Sequence, residues 1–439
     1  IARASLAVAA AGFLATAGCA SVPNREIDIG AATTADTTPS IAPPRRAAPP
    51  PREPIVVLYR GEARPSARLD DRVHFTGTAN LLAVDAEHGT AIASYAGLEG
   101  DRASEVYLLD FGGDRSEKVS ALTRDPKPTE LSELAGRLAP FEASPTEAHG
   151  LYPSVMSWKS ELVAFEDGHD AVAVFDRAAK KSVVASPGIR AAYTPLFSPR
   201  GDRLAMTGCN ERAIIPPGAI DRCVYKVYLA DAPFGGAPRP VNDVVSPRAP
   251  VWSPDGAYVY AVTRDDDHDG PFDQHARGGC LHRIEASTAA SAKLWCTDQM
   301  DDMDFEESKS GKLGIVFGHR RGGKGSAVAL VSLPDGKELG VYSVPGFEFS
   351  IGSGLGADGL VVDTWQGDLY ALDLARGVRA SMPLPRDERL VAYRPWKDAH
   401  TVYALATAPG ADAASVYLIE VDAASLLRGP TQPLDKLAP

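Results

Sequence analysis

The stretch Trp252–Gly256, with the sequence WSPDG, is followed after one residue by the apolar run Tyr258–Val262, YVYAV. Ser-Pro-Asp-Gly has the composition of a tight turn, because proline presets one backbone torsion angle and glycine accepts a positive one. A second copy, Phe197–Asp202 with the sequence FSPRGD, precedes the apolar residues 204–206. A turn that recurs before an apolar strand indicates one supersecondary unit used several times.

The second strand of each unit is the easiest to recognise, because it is short, rich in β-branched and aromatic residues, and mostly ends in an acidic residue. The spacing between these strands therefore gives the length of the repeat. Seven such strands occur, and their last residues are Asp110, Asp176, Asp231, Glu285, Leu333, Asp373 and Glu420. Units of about 40–50 residues with four strands are typical of propeller blades. The sequence therefore predicts an all-β, seven-bladed β-propeller. Six or eight blades stay compatible with it, because the copy at Leu333 lacks the acid and the first unit is the least regular.

One apolar strand, residues 55–59 with the sequence IVVLY, stands alone before the first unit. We predict that it completes the last blade, because joining the two ends of the ring removes an exposed sheet edge. A strand packed on the outside of the ring is the alternative. The predicted organisation is a signal peptide at 1–18, a proline-rich flexible tether at 19–54, the propeller at 55–428 and a tail at 429–439.

The turns at 253–256 and 198–201 resemble the repeat of the TolB-like, WD-repeat-related (PD40-type) bacterial β-propellers. This resemblance covers residues 55–428 as an architecture, and two blades carry the motif well. The phrase Gly367–Asp373, GDLYALD, instead resembles a repeat of quinoprotein-type propellers, which include a lipoprotein of outer-membrane assembly. Propellers serve as enzymes, scaffolds and binding proteins, so neither resemblance implies an activity.

Residues 1–19 have the features of a bacterial secretion signal: Arg3, a small-residue apolar stretch at 6–17, and Thr16–Cys19, TAGC, which resembles a lipobox. The apolar stretch is too short to span a bilayer as a mature helix. The sequence predicts lipidation at Cys19, and ordinary cleavage after Ala17 is the alternative. Several acyl chains would anchor the protein stably. Because Ala20 rather than aspartate follows, the resemblance implies the outer membrane, with its face left open.

Four further cysteines form two local pairs, Cys209 with Cys223 and Cys280 with Cys296, and each pair lies across a predicted hairpin. Hairpins supply the short separations that disulfides require. We therefore predict two disulfides, as expected of an exported protein. A zinc site would need close CxxC spacing, which this chain lacks.

The segment 265–273, DDDHDGPFD, matches most of a calcium-binding loop. Its acids at loop positions 1, 3, 5 and 9 are Asp265, Asp267, Asp269 and Asp273, and glycine stands at position 6. The bidentate glutamate of such loops is replaced by Ala276. The sequence predicts structural Ca²⁺ bound with modest affinity, and a solvated acidic loop is the alternative. No organic cofactor is expected.

Three other segments allow two interpretations each. The acidic run Asp298–Glu307 lines one mouth of the channel or binds a cation, or else it is a hydrated connection. The basic segment His319–Lys324 engages phosphate or an acidic partner, or else it is a solvated hairpin tip. Residues 129–138 have the apolar spacing of a short helix that either docks a partner or packs over the ring.

The remaining features exclude several functions. A net charge of −12 argues against a nucleic-acid partner. Ser353 lacks the first glycine of a Gly-x-Ser-x-Gly elbow, and His149, His169, His282 and His400 are scattered over the predicted blades. We expect an exported, lipid-anchored, non-catalytic module that binds or scaffolds proteins of the bacterial envelope. The alternative is an enzyme, or a binder of a sugar or peptide, with its site in the axial channel.

Overall fold

The computed structural model describes residues 55–62, 78–96, 104–113, 115–122, 128–138, 156–167, 170–213, 222–245, 249–264, 279–308, 310–322, 325–344, 354–355, 359–365, 368–383, 389–396, 398, 400–407 and 415–437. Within these ranges the strands form seven separate antiparallel sheets, five with four strands and two with five. Six of the sheets are built on a meander of four consecutive strands, and the seventh on a meander of three. The first strands contact one another in turn from blade 2 to blade 5 and from blade 6 through blade 7 to blade 1, as expected of strands that surround a common axis. This arrangement is a seven-bladed β-propeller, as the sequence predicted, and six or eight blades are excluded.

The strands of the first four blades follow β1, which spans Ile55–Glu62. Blade 1 contains Thr78–Asp85 (β2), Thr90–Ala96 (β3), Ser104–Asp110 (β4) and Arg115–Leu122 (β5). Blade 2 contains Met156–Lys159 (β6), Leu162–Glu166 (β7), Val172–Asp176 (β8) and Lys181–Val184 (β9). Blade 3 contains Ala191–Phe197 (β10), Arg203–Ala213 (β11), Arg222–Asp231 (β12) and Arg239–Val245 (β13). Blade 4 contains Val251–Trp252 (β14), Tyr258–Arg264 (β15), Gly279–Glu285 (β16) and Ser291–Thr297 (β17).

The other three blades complete the ring. Blade 5 contains Met300–Glu307 (β18), Leu313–Arg320 (β19), Ser326–Ser332 (β20) and Glu338–Val344 (β21). Blade 6 contains Gly354–Leu355 (β22), Leu360–Trp365 (β23), Asp368–Asp373 (β24) and Val378–Pro383 (β25). Blade 7 contains Arg389–Trp396 (β26), Thr401–Thr407 (β27) and Ser415–Asp422 (β28). The described helices are Pro128–Leu138 (α1) and Ala423–Leu427 (α2), and two short strands, Gln432–Pro433 (β29) and Asp435–Lys436 (β30), end the described chain.

The strands that measured the repeat are β4, β8, β12, β16, β20, β24 and β28. Each is the third strand of its blade, so their prediction as second strands was wrong. The reason is that the first strand lies before the turn, and in blades 4 and 6 it is only a two-residue strand. Such short inner strands have no recognisable sequence pattern.

The two ends of the ring are joined by β1, which pairs antiparallel with β28 and so supplies the fourth strand of blade 7. This confirms the predicted closure. Apolar side chains fill all seven interfaces between neighbouring blades. The interface between blades 7 and 1 is built like the others, with Leu81, Leu109, Tyr403 and Leu418 among its buried residues. The ring is therefore closed by pairing and by packing.

The helix α1 packs against the ring. Leu131 and Leu134 are 0% and 1% exposed, and they join the apolar cluster between blades 1 and 2. The opposite side of the helix carries the exposed residues Thr129, Glu133, Gly136 and Arg137. Proline is favoured in the first turn of a helix because its missing N–H needs no partner there. Of the two interpretations of this segment, the structure shows the packing role.

Among the described residues, a turn that begins with serine and ends with glycine follows the first strand of blades 3, 4 and 5, and the first two copies contain proline. The turns are 198–201, 253–256 and 308–311, and in each the glycine N–H donates to the serine carbonyl at 2.8–2.9 Å. Each serine Oγ also accepts a bond from the backbone N–H five residues later, at 3.2, 2.9 and 3.2 Å. The third copy reads SKSG and has no proline, which is why the sequence pattern did not identify it.

These turns also connect neighbouring blades. All three glycines have positive φ angles, and Gly256 has a φ of 70°. A Cβ atom on Gly256 would lie 3.4 Å from Cδ of Pro199, and one on Gly311 would lie 3.3 Å from Cδ of Pro254. Each turn thus lies against the second residue of the preceding turn. Glycine is favoured here by the positive φ angle, and a Cβ atom at either position would be in contact with the neighbouring blade.

We predict that Gly256→Ala lowers the free energy of unfolding by about 1 kcal/mol, because alanine is strained at positive φ and this outweighs its gain in the unfolded chain. Urea unfolding curves measure the effect. Gly236→Ala is the matched control, since Gly236 is exposed, has no positive φ, and a Cβ atom added there would meet nothing within 4 Å. Equal midpoints for the two variants would contradict the role assigned to the turn.

Candidate functional site

The propeller has two unlike faces. At one face, which we call the short-turn face, the first strand of each blade turns into the second and the third into the fourth, through connections such as 198–202 and 253–257. At the opposite face, the long-loop face, the second strand leads to the third and each blade leads to the next. The three longest connections between described strands, 123–155, 63–77 and 265–278, start from the long-loop face. Binding residues of rigid scaffolds are commonly found on such connections.

A polar cluster lies between blades 2 and 3 at the long-loop face. We call it the tyrosine–carboxylate cluster, and it consists of Glu166, Asp170, Tyr193, Thr194, Thr207 and Tyr225. The Tyr193 hydroxyl donates to Asp170 Oδ1 at 2.9 Å, and the hydroxyls of Thr194 and Thr207 are 2.9 Å apart. The rings of Tyr193 and Tyr225 lie with their centroids 6.2 Å apart and their planes tilted by 50°. All of these residues except Thr207 are partly exposed, so a ligand can reach them.

Two residues of this cluster have unusual backbone conformations. Thr194 has a φ of 54° and Asp170 a φ of 58°. A positive φ is costly for any residue with a Cβ, and most of all for a β-branched one such as threonine. Contacts from the neighbouring blade hold Thr194 in place, since its N–H donates to Glu166 Oε1 at 2.9 Å and the nearby Ala192 N–H donates to the Asp170 carbonyl at 2.7 Å. The inner strand of blade 3 is thereby fastened to the loop of blade 2.

The electrostatics of the cluster favour binding over proton transfer. Burial, together with the hydrogen bond and negative charge of Asp170, raises the pKa of Tyr193. Burial and Asp170 likewise raise the pKa of Tyr225. Both phenols are therefore neutral at physiological pH, where they act as hydrogen-bond donors and ring surfaces. Such a set can hold a polar ligand, and it contains no tyrosine tuned to act as a base.

Sequence reasoning did not identify this cluster, because its members come from two blades and follow no local motif. Asp170 and Tyr193 are 23 positions apart in the chain, and Glu166 and Thr194 are 28 apart. The pair Tyr193-Thr194 lies on a first strand, but nothing in the sequence alone links it to Asp170 or Glu166.

The predicted disulfide between Cys280 and Cys296 is confirmed, with an S–S distance of 2.06 Å. These cysteines are directly paired on β16 and β17. Cys209 is also disulfide-bonded. The side chain of its predicted partner, Cys223, lies outside the described residues, so that pairing stays a prediction.

Two predicted sites fall on residues that the structure does not describe: the lipidation site Cys19, and the calcium loop with Asp265, Asp267, Asp269 and Asp273. Both stay predictions. Within the described ranges, no three histidine, cysteine, aspartate or glutamate side chains come together as a metal site. In those same ranges, neither helix has the length and apolar character needed to cross a membrane.

The acidic run proves to be a strand. Residues Met300–Glu307 form β18, the innermost strand of blade 5, so the interpretation of this run as a hydrated connection was wrong for all but its first residues.

The basic segment begins at the end of β19, and two of its arginines form hydrogen bonds with neighbouring residues. A side-chain nitrogen of Arg320 donates to Ser343 Oγ at 3.3 Å, and the Arg321 backbone N–H donates to the Gln299 carbonyl at 2.9 Å.

Of the four scattered histidines, the structure describes His282 and His400, and of these two His282 is the enclosed one, with 2% exposure. Its Nε2 lies 3.2 Å from Thr263 Oγ1, and its Nδ1 has no hydrogen-bond partner. Burial and the positive charge of Lys293 lower the pKa of His282 to about 4. The ring is therefore neutral at physiological pH, and it lies between blades rather than in a converging catalytic set. His400 is exposed.

Glu307 occupies a position where the equivalent residues are aromatic. Phe197 and Trp252 precede the turn serine in blades 3 and 4, and both are buried between blades. The Trp252 indole N–H also donates to the Leu196 carbonyl at 2.8 Å. In blade 5 the same position holds Glu307, whose Oε1 is shielded from solvent without a hydrogen-bond partner. Burial, aided by the negative charge of Asp255, raises the pKa of Glu307 to about 9.

We predict that Glu307 makes the free energy of unfolding fall as pH rises from about 4.5 towards 9. In that range the folded chain retains a proton that the unfolded chain releases, so deprotonation favours unfolding. Glu307→Gln keeps the shape and removes the titration. The variant should be more stable than the wild type at pH 8 by about 2 kcal/mol and nearly equal to it at pH 4.5. Urea unfolding at both pH values tests this, and a stability difference independent of pH would contradict it.

Comparison with known proteins shows no family. No protein-family model matches the chain, and no curated protein does either. The solved structures similar to it include an oligogalacturonate lyase in complex with manganese, with 11% identity, a TM-score of 0.47, and coverage of 79% of this chain and 90% of that one. The hydrazine synthase of Kuenenia stuttgartiensis has 12% identity, a TM-score of 0.44, and coverage of 76% and 95%.

A third similar structure comes from an analysis of two prolyl endopeptidases, with 12% identity, a TM-score of 0.42 and coverage of 83% of this chain. This chain spans only 50% of that one. Similarity at these values concerns the fold alone, so no activity is transferred from any of the three.

Proposed function

We propose that this chain is an exported, lipid-anchored β-propeller of the TolB-like type that acts as a non-catalytic, protein-binding module of the bacterial envelope. The observation that carries the proposal is the difference between the two faces. In blades 3 to 5 the short-turn face carries compact hydrogen-bonded turns, and those of blades 4 and 5 each lie against the preceding turn. The long connections all start from the other face, which also holds the tyrosine–carboxylate cluster. We therefore assign partner binding to the long-loop face.

A non-catalytic role agrees with the chemistry of that face. The tyrosines of the cluster are neutral donors, and the buried His282 lies away from them between blades 3 and 4. Asp170 accepts a bond from Tyr193, and Glu166 accepts one from Thr194, so both carboxylates have structural tasks. These groups suit recognition of a polar surface more than they suit bond cleavage.

Export to the envelope is supported by the disulfide between Cys280 and Cys296, because such bonds persist in oxidising compartments. The lipobox-like TAGC at 16–19 and the proline-rich residues 43–51 are the sequence basis for a lipid anchor and a tether. We place the anchor at Cys19, in the outer membrane.

A second candidate function is the binding of a small polar ligand, such as a sugar or peptide, at the tyrosine–carboxylate cluster. The strained Thr194 favours this candidate, because backbone strain is often found at binding sites. Two partly exposed tyrosine rings beside carboxylates are common recognition chemistry for such ligands.

We predict that a photo-crosslinking amino acid at Arg190 captures the same envelope proteins in repeated experiments, whereas one at Arg200 does not. Both arginines are exposed and belong to blade 3, but Arg190 lies at the long-loop face and Arg200 in a turn of the short-turn face. Mass spectrometry of the captured products is the measurement.

The lipid anchor gives a second prediction. Cys19→Ser should move the protein out of the membrane fraction and reduce capture of the envelope proteins.

Equal capture from both positions would contradict the assignment of the binding face. Capture from neither would contradict the scaffold role and leave the small-ligand candidate, which a thermal-shift screen of sugars and peptides would then examine.

We also propose structural Ca²⁺ at Asp265, Asp267, Asp269 and Asp273. We predict that millimolar Ca²⁺ raises the melting temperature by about 2–5 °C over the protein in chelator, because binding to the folded state alone stabilises it. Asp267→Asn combined with Asp269→Asn should abolish the increase, and Mg²⁺ serves as the control ion. A melting temperature that does not respond to Ca²⁺ would refute the site.

A further inference from the structure

The chain continues beyond the strand that closes the ring. After β28 and the short helix α2, residues 429–437 run across the outer strands of blades 6 and 5, and we call them the strap. Within the strap, β29 pairs antiparallel with Val378 and Arg379 of β25, and β30 pairs antiparallel with Tyr342 and Ser343 of β21. The strap is thus a fifth strand on two successive blades.

Backbone hydrogen bonds hold the strap to both edges. The Leu434 N–H donates to the Gly377 carbonyl at 2.8 Å, and the Leu437 N–H donates to the Val341 carbonyl at 2.9 Å. In the part of the chain that the structure describes, the other five sheets have four strands and no fifth. The outer edges of blades 5 and 6 are therefore the ones at which strand addition is observed.

Two leucines anchor the strap. Leu434 is 7% exposed and joins the apolar cluster between blades 5 and 6, beside Tyr342 and Leu374. Leu437 packs against the cluster between blades 4 and 5. The other strap residues, 429–433 and 435–436, are exposed. The recognised pattern is thus an extended segment with two leucines three positions apart.

The strap is held less extensively than the strands of the ring. Each of its two ladders pairs two residues, whereas β20 and β28 pair along their whole length with strands on both sides. Segments with few buried contacts and short ladders open at a lower free energy than the core. An edge that is vacated in this way presents unpaired N–H and C=O groups, which favour the addition of another strand.

We propose that the outer edges of blades 5 and 6 form a strand-acceptor surface for an extended peptide segment of a partner protein with two leucines three residues apart, and that the strap occupies this surface in the free protein. This surface lies on the outer rim of the ring. It uses neither the long-loop face nor the tyrosine–carboxylate cluster, so it stands or fails independently of the proposed function.

The test uses the full chain with Leu434→Asp, which weakens the strap, and a fluorescein-labelled peptide with the sequence of residues 429–437, GPTQPLDKL. Fluorescence anisotropy should show that this peptide binds the variant at least about tenfold more tightly than the wild type, in which the tethered strap competes. The exposed strap position gives the matched control: Thr431→Asp should bind like the wild type. A second peptide carrying Leu434→Asp should not bind.

Absence of binding to the variant, or equal binding of both peptides, would overturn the proposal. If Leu434→Asp fails to fold, Leu437→Asp replaces it, because Leu437 is less buried. Hydrogen exchange on the unmodified chain provides a second readout. The amides of Leu434 and Leu437 should exchange well before those of β20, and exchange at the rate of β20 would show a permanently fixed strap and overturn the proposal.

Discussion

The pairing of β1 with β28 is the constraint on which the rest of the propeller depends. Each blade buries apolar side chains only against its two neighbours, so an unclosed ring would expose one face of blade 1 and one face of blade 7. Pairing places Ile55 opposite Val421 and completes the sheet of blade 7. The interface around Leu81 and Tyr403 can then bury its side chains like the other six. Stability is therefore shared around the circle, as in other repeat architectures.

The repeated turns set the spacing of the blades within this circle. Because the glycines of the second and third turns lie against the preceding turns, a Cβ atom there would contact the neighbouring blade and would also strain its own backbone. Glu307 departs from the aromatic pattern beside the third turn, and its raised pKa leads us to expect a fold that becomes less stable as the pH rises towards 9. A residue that costs stability at a core position is retained more readily where it has a task, which makes the inner end of blade 5 a place to look for one.

The sequence was sufficient to predict the number of blades and the closing strand, because both rest on local apolar patterns with turn residues at their ends. It was insufficient where structure depends on residues far apart. The inner strands β14 and β22 are too short to show a pattern, and the SKSG turn at 308–311 lacks the proline of its relatives. The tyrosine–carboxylate cluster could not be predicted, since Asp170 and Tyr193 meet only after blades 2 and 3 have packed. The acidic run was predicted mainly from its charge, although its alternating apolar residues Met303 and Phe305 are those of a strand that is buried on one side.

The strand β1, at the start of the propeller, and the strap, at its end, differ in whether a partner strand could replace them. The strand β1 is integrated along its whole length, so exchanging it would open the ring. The strap instead adds to blades that already have four strands, and its removal would leave each of those blades with its four strands. A segment that covers an edge without being required for closure protects that edge from aggregation and can also yield it to a partner. Unpaired backbone groups at a sheet edge thus have two consequences. In the free protein the strap covers them, and once the strap has left they can bind a strand of a partner.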